Sequence, residues 1–319
     1  MDRSRRRSGF LIATAALALG ATAPVAPPLK AMRWLAPGAD AARLLTRTRV
    51  ECLTSATDPD LAYQIELGRA AFRSPLLLGG QGARAGLSCD SCHQNGRANP
   101  NFDFPGLSGA PGTADVTSSL MSSHRGDGIQ NPRPIPDLAG PRRAMKVSRA
   151  PGSNDLALFI NGLVTEEFDG AAPPPAVLAG LAAYVRALSP QACPAGDGWR
   201  ALRVDDAIAD ARRAVRAALA ALGRGDPASA AVMVEAARVQ LGNIAERYPG
   251  APLETQRQGL TVADLDLASA LVAVRDRSAD AVFRLSTWLD RSESWAAPLR
   301  RAQGASLYAR QVLARRSGT

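Results

Sequence analysis

Apolar positions along the chain fall into two regimes. From Val204 onward they recur in alternating steps of four and three, the spacing of helix faces packed on one another. The first such stripe is Val204, Ile208, Ala211, Val215, Ala218 and Leu222. The second is Val234, Ala237, Leu241, Ile244 and Tyr248, and the third runs Leu267, Leu271, Val274, Ser278, Ala281, Leu285 and Trp288. A fourth carries Leu299, Ala302, Ser306, Ala309 and Leu313. Gly223–Asp226, Pro249–Pro252 and Ser292–Pro298 are the expected breaks, and Thr261-Val262-Ala263-Asp264 reads as a capping-box start. Residues 195–319 are therefore expected to form an antiparallel four-helix bundle with an Ala-rich core. They contain no histidine and no cysteine, and no metal or cofactor role is assigned to them.

Before Cys193-Pro194-Ala195-Gly196 the pattern is different. Only two segments read as helices: Asp60–Phe72, with Leu61, Ile65, Gly68 and Phe72 on one face, and Pro175–Leu188, with Leu178, Leu181, Ala182, Val185 and Leu188 in a stripe beside Tyr184. Between them, residues 79–152 are dense in Gly, Pro, Ser and Asn, too poor in apolar side chains to make a core unaided. The fold class expected is all-α, with a loop-rich domain at 51–194, a leader or linker at 21–50 and the bundle at 195–319.

The chemistry concentrates in the loop-rich half. Cys89-Asp90-Ser91-Cys92-His93 is a C-x-x-C-H sequence, the attachment site of a c-type haem. Two thiols one helical turn apart can add to the two vinyl groups of one porphyrin, and the next residue then supplies an imidazole to the iron. The chain has 4 Cys and 2 His; with so few, the motif arises by chance on the order of once in 3,000 such chains. A thioredoxin-like pair would need a βαβ setting, and a zinc site a second ligand pair; neither is present. One covalent haem c is the expected cofactor.

Residues 1–20 fit an export signal: Arg3, Arg5, Arg6 and Arg7, a short apolar run from Phe10 to Leu19, and Ala18-Leu19-Gly20 as a cleavage site. The run is short for a membrane span, although an uncleaved anchor is the other reading. The periplasm is the expected location, with no membrane span once the signal is cleaved. The formal charge is +9, of which +6 remains without residues 1–20. Nearly all of the excess is arginine, since Lys30 and Lys146 are the only lysines. A basic face toward an acidic redox partner fits this balance. Nucleic acid does not, for an exported chain with 5% aromatic residues.

The residues also carry a family resemblance. Gly68-Arg69-Ala70-Ala71-Phe72, Leu76-Leu77-Leu78-Gly79-Gly80 and Ser88-Cys89-Asp90-Ser91-Cys92-His93, followed by Pro132-Arg133-Pro134-Ile135-Pro136-Asp137-Leu138, resemble the electron-transfer haem domain of the bacterial di-haem cytochrome c peroxidase and methylamine-utilisation family. The likeness covers residues 61–140. It implies a cytochrome c-like domain in which the early helix crosses the late one at a Gly and aromatic contact. The departure is the second C-x-x-C-H, which this chain lacks. The family's active haem lies in the half this chain does not have, so the electron-transfer half alone is expected.

The second axial ligand is open among His124, Met121, Met145 and no protein ligand. The family places a histidine shortly before its P-R-x-x-P segment, which favours His124. Of Arg97, Arg125, Arg133, Arg142 and Arg143, one or two are expected to pair with the haem propionates, Arg133 foremost through the motif. Cys52 and Cys193 bracket the haem domain, and in an oxidising compartment they are expected to form a disulfide. Two functions follow: a carrier of single electrons between periplasmic partners, or a mono-haem peroxidase acting on hydrogen peroxide. Glu166 and Glu167 are the acidic residues nearest to a distal acid–base role, in a sequence that reads equally well as a loop.

Overall fold

Two helices that start on ordinary signals meet at two glycines, and the rest of the N-terminal half is arranged around them. The computed structural model describes residues 27–140, 147–150, 152–196 and 198–318. In chain order, α1 (Ala41–Leu44) and β1 (Arg47–Arg49) precede α2 (Pro59–Ala71), the short α3 (Gly80–Ala85) and α4 (Cys89–Cys92). Two-residue strands β2 (Thr113–Ala114) and β3 (Arg133–Pro134) pair across the loop region. Then come α5 (Asp155–Gly162), continued by a π turn to Glu167, α6 (Pro175–Ala187) and β4 (Trp199–Ala201). The C-terminal part holds α7 (Val204–Gly223), α8 (Pro227–Glu246), α9 (Glu254–Arg275), α10 (Ala281–Asp290), α11 (Ser292–Ala302) and α12 (Arg310–Ser317). With 58% of the chain helical and 4% in strands, the fold is all-α in class.

α2 begins where Asp58 accepts from the Leu61 N–H and Pro59 occupies the first turn. It buries Ile65, Leu67, Gly68, Ala70 and Ala71; Leu61, expected on that face, is exposed. α6 also opens on a proline and buries Val177, Gly180, Leu181, Ala182, Ala183, Tyr184 and Val185. The two cross so closely that a Cβ on Gly68 would sit 1.9 Å from the Gly180 carbonyl oxygen. One turn on, Phe72 and Tyr184 meet edge to face at 5.1 Å. The two helices thus cross at Gly68 and Phe72, the residues named for that contact, with Gly180 and Tyr184 as their partners.

The C-terminal stripes are buried nearly as expected, from Val204 through Ala218, Val234 through Tyr248 and Leu267 through Val274. Their boundaries differ in three places. Thr261 does not start a helix; it lies within α9, and its hydroxyl donates to the Arg257 carbonyl one turn back at 3.0 Å. The third stripe is two helices, because Arg277 turns left-handed at φ 54° and Ser278 N–H closes on the Ala273 carbonyl at 2.8 Å. Residues 292–298 are helical in α11 with Pro298 inside it, and the fourth stripe breaks instead between Gln303 and Ala309.

The two halves share one hydrophobic cluster, which runs from Cys52 through Tyr184 to Tyr308 without a gap at residue 195. α2 lies against both α7 and α8. The stretch read as a linker is packed from Leu29 onward: Leu29 and Ala42 form a second cluster with Leu307 and Leu313. β1 pairs antiparallel with β4, Arg47 opposite Ala201. The expected signal at 1–20 lies outside the described residues. Among the described residues no helix is long and apolar enough to cross a membrane.

Gly68→Ala should be among the most damaging single-methyl changes in the chain. The added carbon meets backbone, which has no rotamer to yield, so a loss of about 3 kcal/mol or more is expected. Urea unfolding checks this, with Gly162→Ala, where nothing lies within 4 Å of the new carbon, as the mild control.

Candidate functional site

The C-x-x-C-H turn is built from the backbone outward. Ser88 and Ser91 cap α4 reciprocally, the Ser88 N–H donating to Ser91 Oγ at 3.0 Å. That single turn brings Cys89 and Cys92 to the same side, both half-buried against the main hydrophobic cluster and both free thiols. Burial pushes each thiol up to about 12, with Asp90 adding to the effect at Cys89 and Cys89 adding to it at Cys92. The chain leaves α4 through Asn95 in the left-handed region, φ 52°. Asn99 returns to close the loop, its N–H on the Cys92 carbonyl at 2.9 Å and its amide on the Ser91 carbonyl at 2.9 Å.

His93 is oriented by a single hydrogen bond. Its Nδ1 lies 3.0 Å from the carbonyl oxygen of Pro136, which can only accept. Nδ1 therefore carries the proton, and Nε2 is left with its lone pair. Burial brings the imidazole down to about 4, against the opposing pull of the Pro136 carbonyl and Asp137, so the ring is neutral at ordinary pH. Phe72, from the helix crossing, stands 6.5 Å from the His93 ring. A neutral imidazole with one nitrogen fixed on a backbone carbonyl and the other open is the arrangement of a metal-ligating histidine.

Behind α4 lies a buried ionic network that the sequence did not announce. Arg73, 7% exposed, reaches Glu51 at 3.0 Å, Asn95 at 2.6 Å and Asp210 of α7 at 3.4 Å. Glu51 also takes Arg69 and the Tyr184 hydroxyl, the latter at 2.7 Å. Burial alone would raise the Glu51 carboxyl, but Arg73, Arg69 and Tyr184 outweigh it and bring it down to about 2. Asp90, inside the motif, moves the other way. Burial raises it, Arg73 and the Asn95 N–H only partly offset this, and Asp210 and Glu51 add to it. Asn95 is held at both ends, its N–H on Asp90 and its amide on Thr48 Oγ1 and the Arg49 carbonyl. The motif is thus fastened to α2, β1 and α7 together.

The other expected residues are scattered. Arg133, favoured for a propionate, is exposed on β3. Arg97 is turned onto Asp137, and Arg125 onto Glu166. Met145, Arg142 and Arg143 lie outside the described residues. His124 sits at the surface with 63% of its side chain exposed, and its Nδ1 is 2.9 Å from Asp169 Oδ1. Met121 is 2% exposed within the main cluster. Glu166 faces Arg125 on the π turn, and Glu167 is buried beside it. Cys52 and Cys193 form the expected disulfide, closing a separation of 141 residues. Pro136 accepts from His93 through its backbone carbonyl, a role that no side chain in the Pro132–Leu138 sequence marks. Among the described residues no group of three or more His, Cys, Asp or Glu could hold a metal ion by itself.

Set beside family models, curated proteins and solved structures, the chain matches none.

Two outcomes are expected. Glu51 is lowered in the folded state, so its stabilisation is complete above its ordinary value of 4.5 and is lost as the pH falls toward 2. Glu51→Gln should cost about 3 kcal/mol at pH 7 and flatten the pH dependence of stability over that window, read by urea titration from pH 7 to 2.5. Replacing both Cys52 and Cys193 by Ala should cost up to about 5 kcal/mol, the loop-entropy value for a closure this long. Thermal unfolding of the two proteins checks it.

Proposed function

We propose that this chain is an exported mono-haem c-type cytochrome that carries single electrons between redox partners outside the cytoplasmic membrane. The observation that carries the reading is the Nδ1 contact of His93 with Pro136, made beside two thiols paired on one turn. Together they supply two attachment points and one open imidazole nitrogen within five consecutive residues. Cys89 and Cys92 would hold the porphyrin through thioethers and His93 would ligate the iron. A haem held there supplies one-electron chemistry, with the potential set by its ligands and by burial.

The distal side is read differently from the expectation. His124 is solvent-exposed and engaged by Asp169, whereas Met121 is fully buried among apolar residues. Met121 is therefore the ligand we favour. A thioether there gives a higher potential than a second imidazole would. A buried, saturated ligand also suits a carrier, because it leaves no place for peroxide. The resemblance to the electron-transfer half of the di-haem peroxidases supports the same role. The loop-rich segment 79–152, weak in apolar side chains of its own, fits a chain that wraps a large apolar cofactor, and the cytochrome c-like reading of residues 51–194 rests on this. For residues 195–319 we propose a bundle that serves as the support on which α2 and the motif rest.

Protein purified from an export-competent host should keep its haem on a denaturing gel, and Cys89→Ala with Cys92→Ala should lose it. Met121→Ala should turn a low-spin spectrum high-spin and open the ferrous protein to carbon monoxide, while His124→Ala should leave the spectrum unchanged. Acid-extractable haem would refute covalent attachment. A wild type that already binds carbon monoxide and turns over peroxide would replace the carrier with the peroxidase reading.

A further inference from the structure

The Pro136 carbonyl is held in place by neighbours that converge on one short segment. Asp137, the next residue, receives Arg97 Nε at 2.9 Å on one oxygen and 2.7 Å on the other. The Leu138 N–H donates to the Gly96 carbonyl at 3.1 Å, one residue before Arg97. The Leu138 carbonyl accepts from the buried Arg149 at 2.6 Å. Arg97 itself does not dangle. Its Nη1 lies 3.1 Å from Cys52 Sγ and 3.4 Å from Cys193 Sγ, so the guanidinium rests on the disulfide. The disulfide in turn is fixed to the end of α6, where the Ser189 N–H donates to the Cys52 carbonyl at 2.9 Å and Leu53 bridges Leu188.

We infer that Arg97 is a positioning residue for the proximal histidine: braced on the Cys52–Cys193 disulfide, it fixes Asp137 and thereby holds the Pro136 carbonyl on Nδ1 of His93. The inference rests on the cytochrome reading for its effect on iron, and on geometry alone for its effect on the imidazole. An Nδ1–H drawn toward a carbonyl makes the ring a stronger donor and favours the ferric state. Loosening that bond therefore raises the reduction potential. Removing the positive charge of Arg97 by itself does the opposite, because a nearby cation favours the ferrous state. The two roles, positioning residue and mere local charge, thus move the potential in opposite directions. The planar fork matters too, since a lysine carries the charge but cannot span Asp137 and two sulfurs at once.

The test uses the full chain, with Arg97→Gln, Arg97→Lys, the Cys52→Ala/Cys193→Ala pair and the combination of Arg97→Gln with that pair. Two quantities are read: the haem midpoint potential by spectroelectrochemical titration, and solvent exchange of the His93 Nδ1 proton by 15N NMR of the diamagnetic ferrous protein. Both Arg97 variants should raise the potential and speed the exchange at least tenfold. The cysteine pair should shift both in the same direction, with no further shift on adding Arg97→Gln. A lowered or unchanged potential with unchanged exchange overturns the inference. If Arg97→Gln does not accumulate, Asp137→Asn, which leaves Arg97 on the disulfide, decides it by the exchange rate. Protein without covalent haem overturns the cytochrome reading instead, and the same exchange measurement made on that haem-free, diamagnetic chain still decides the role of Arg97.

Discussion

The contact of α2 with α6 at Gly68 and Gly180 is the constraint on which the N-terminal half depends. Two helix backbones at this distance leave no room for side chains between them, so the residues one turn onward are driven to fixed places. Phe72 is set between Tyr184 and His93, and Arg73 is turned inward beneath the motif. An Asp90 N–H to Phe72 carbonyl bond at 3.2 Å then ties α4 to the end of α2. The cysteine turn is therefore placed by a helix crossing, even though its own flanks are loops.

A second layer of organisation is electrostatic. Buried ion pairs seldom add net stability, because desolvation opposes them, but breaking one leaves an expensive orphan. The network around Arg73 joins residues from three separate parts of the chain: Glu51 before α2, Asp90 and Asn95 around the motif, and Asp210 on α7. Slippage of the C-terminal helices against the loop-rich half would strand Asp210 from Arg73. That gives residues 204–246 a bearing on the cysteine site although they contribute no ligand to it.

What was legible in the sequence was mainly what depends on local spacing. The α2 and α6 spans and the buried stripes of α7 to α9 were readable from period; the glycine and aromatic contact came with the family resemblance, and the Cys52–Cys193 pairing, 141 residues apart, from cysteine count. Thr261 misled because a hydroxyl within a helix can bond the preceding turn as readily as it caps a start. The break at Arg277 was hidden because a left-handed arginine carries no sequence mark of the kind a glycine does. The functional contacts that were missed join residues 40 or more positions apart. Arg97 with Asp137, His93 with Pro136 and Arg73 with Asp210 each pair a common residue with one of many possible partners, and in a chain with 38 basic residues none stands out.

The disulfide encloses the C-x-x-C pair, and this bears on the order in which the chain matures. Four thiols in one chain can pair in three ways, and two of these would join a motif cysteine to Cys52 or Cys193. Such a pairing would leave the motif unable to take a porphyrin across both vinyl groups. In the proposed cytochrome, thioether formation at Cys89 and Cys92 would withdraw them from exchange and leave only one partner for each remaining thiol. On that proposal cofactor attachment would act as a proofreading step for the disulfide, and a chain in which a motif cysteine is oxidised first would have to be reduced before it could mature.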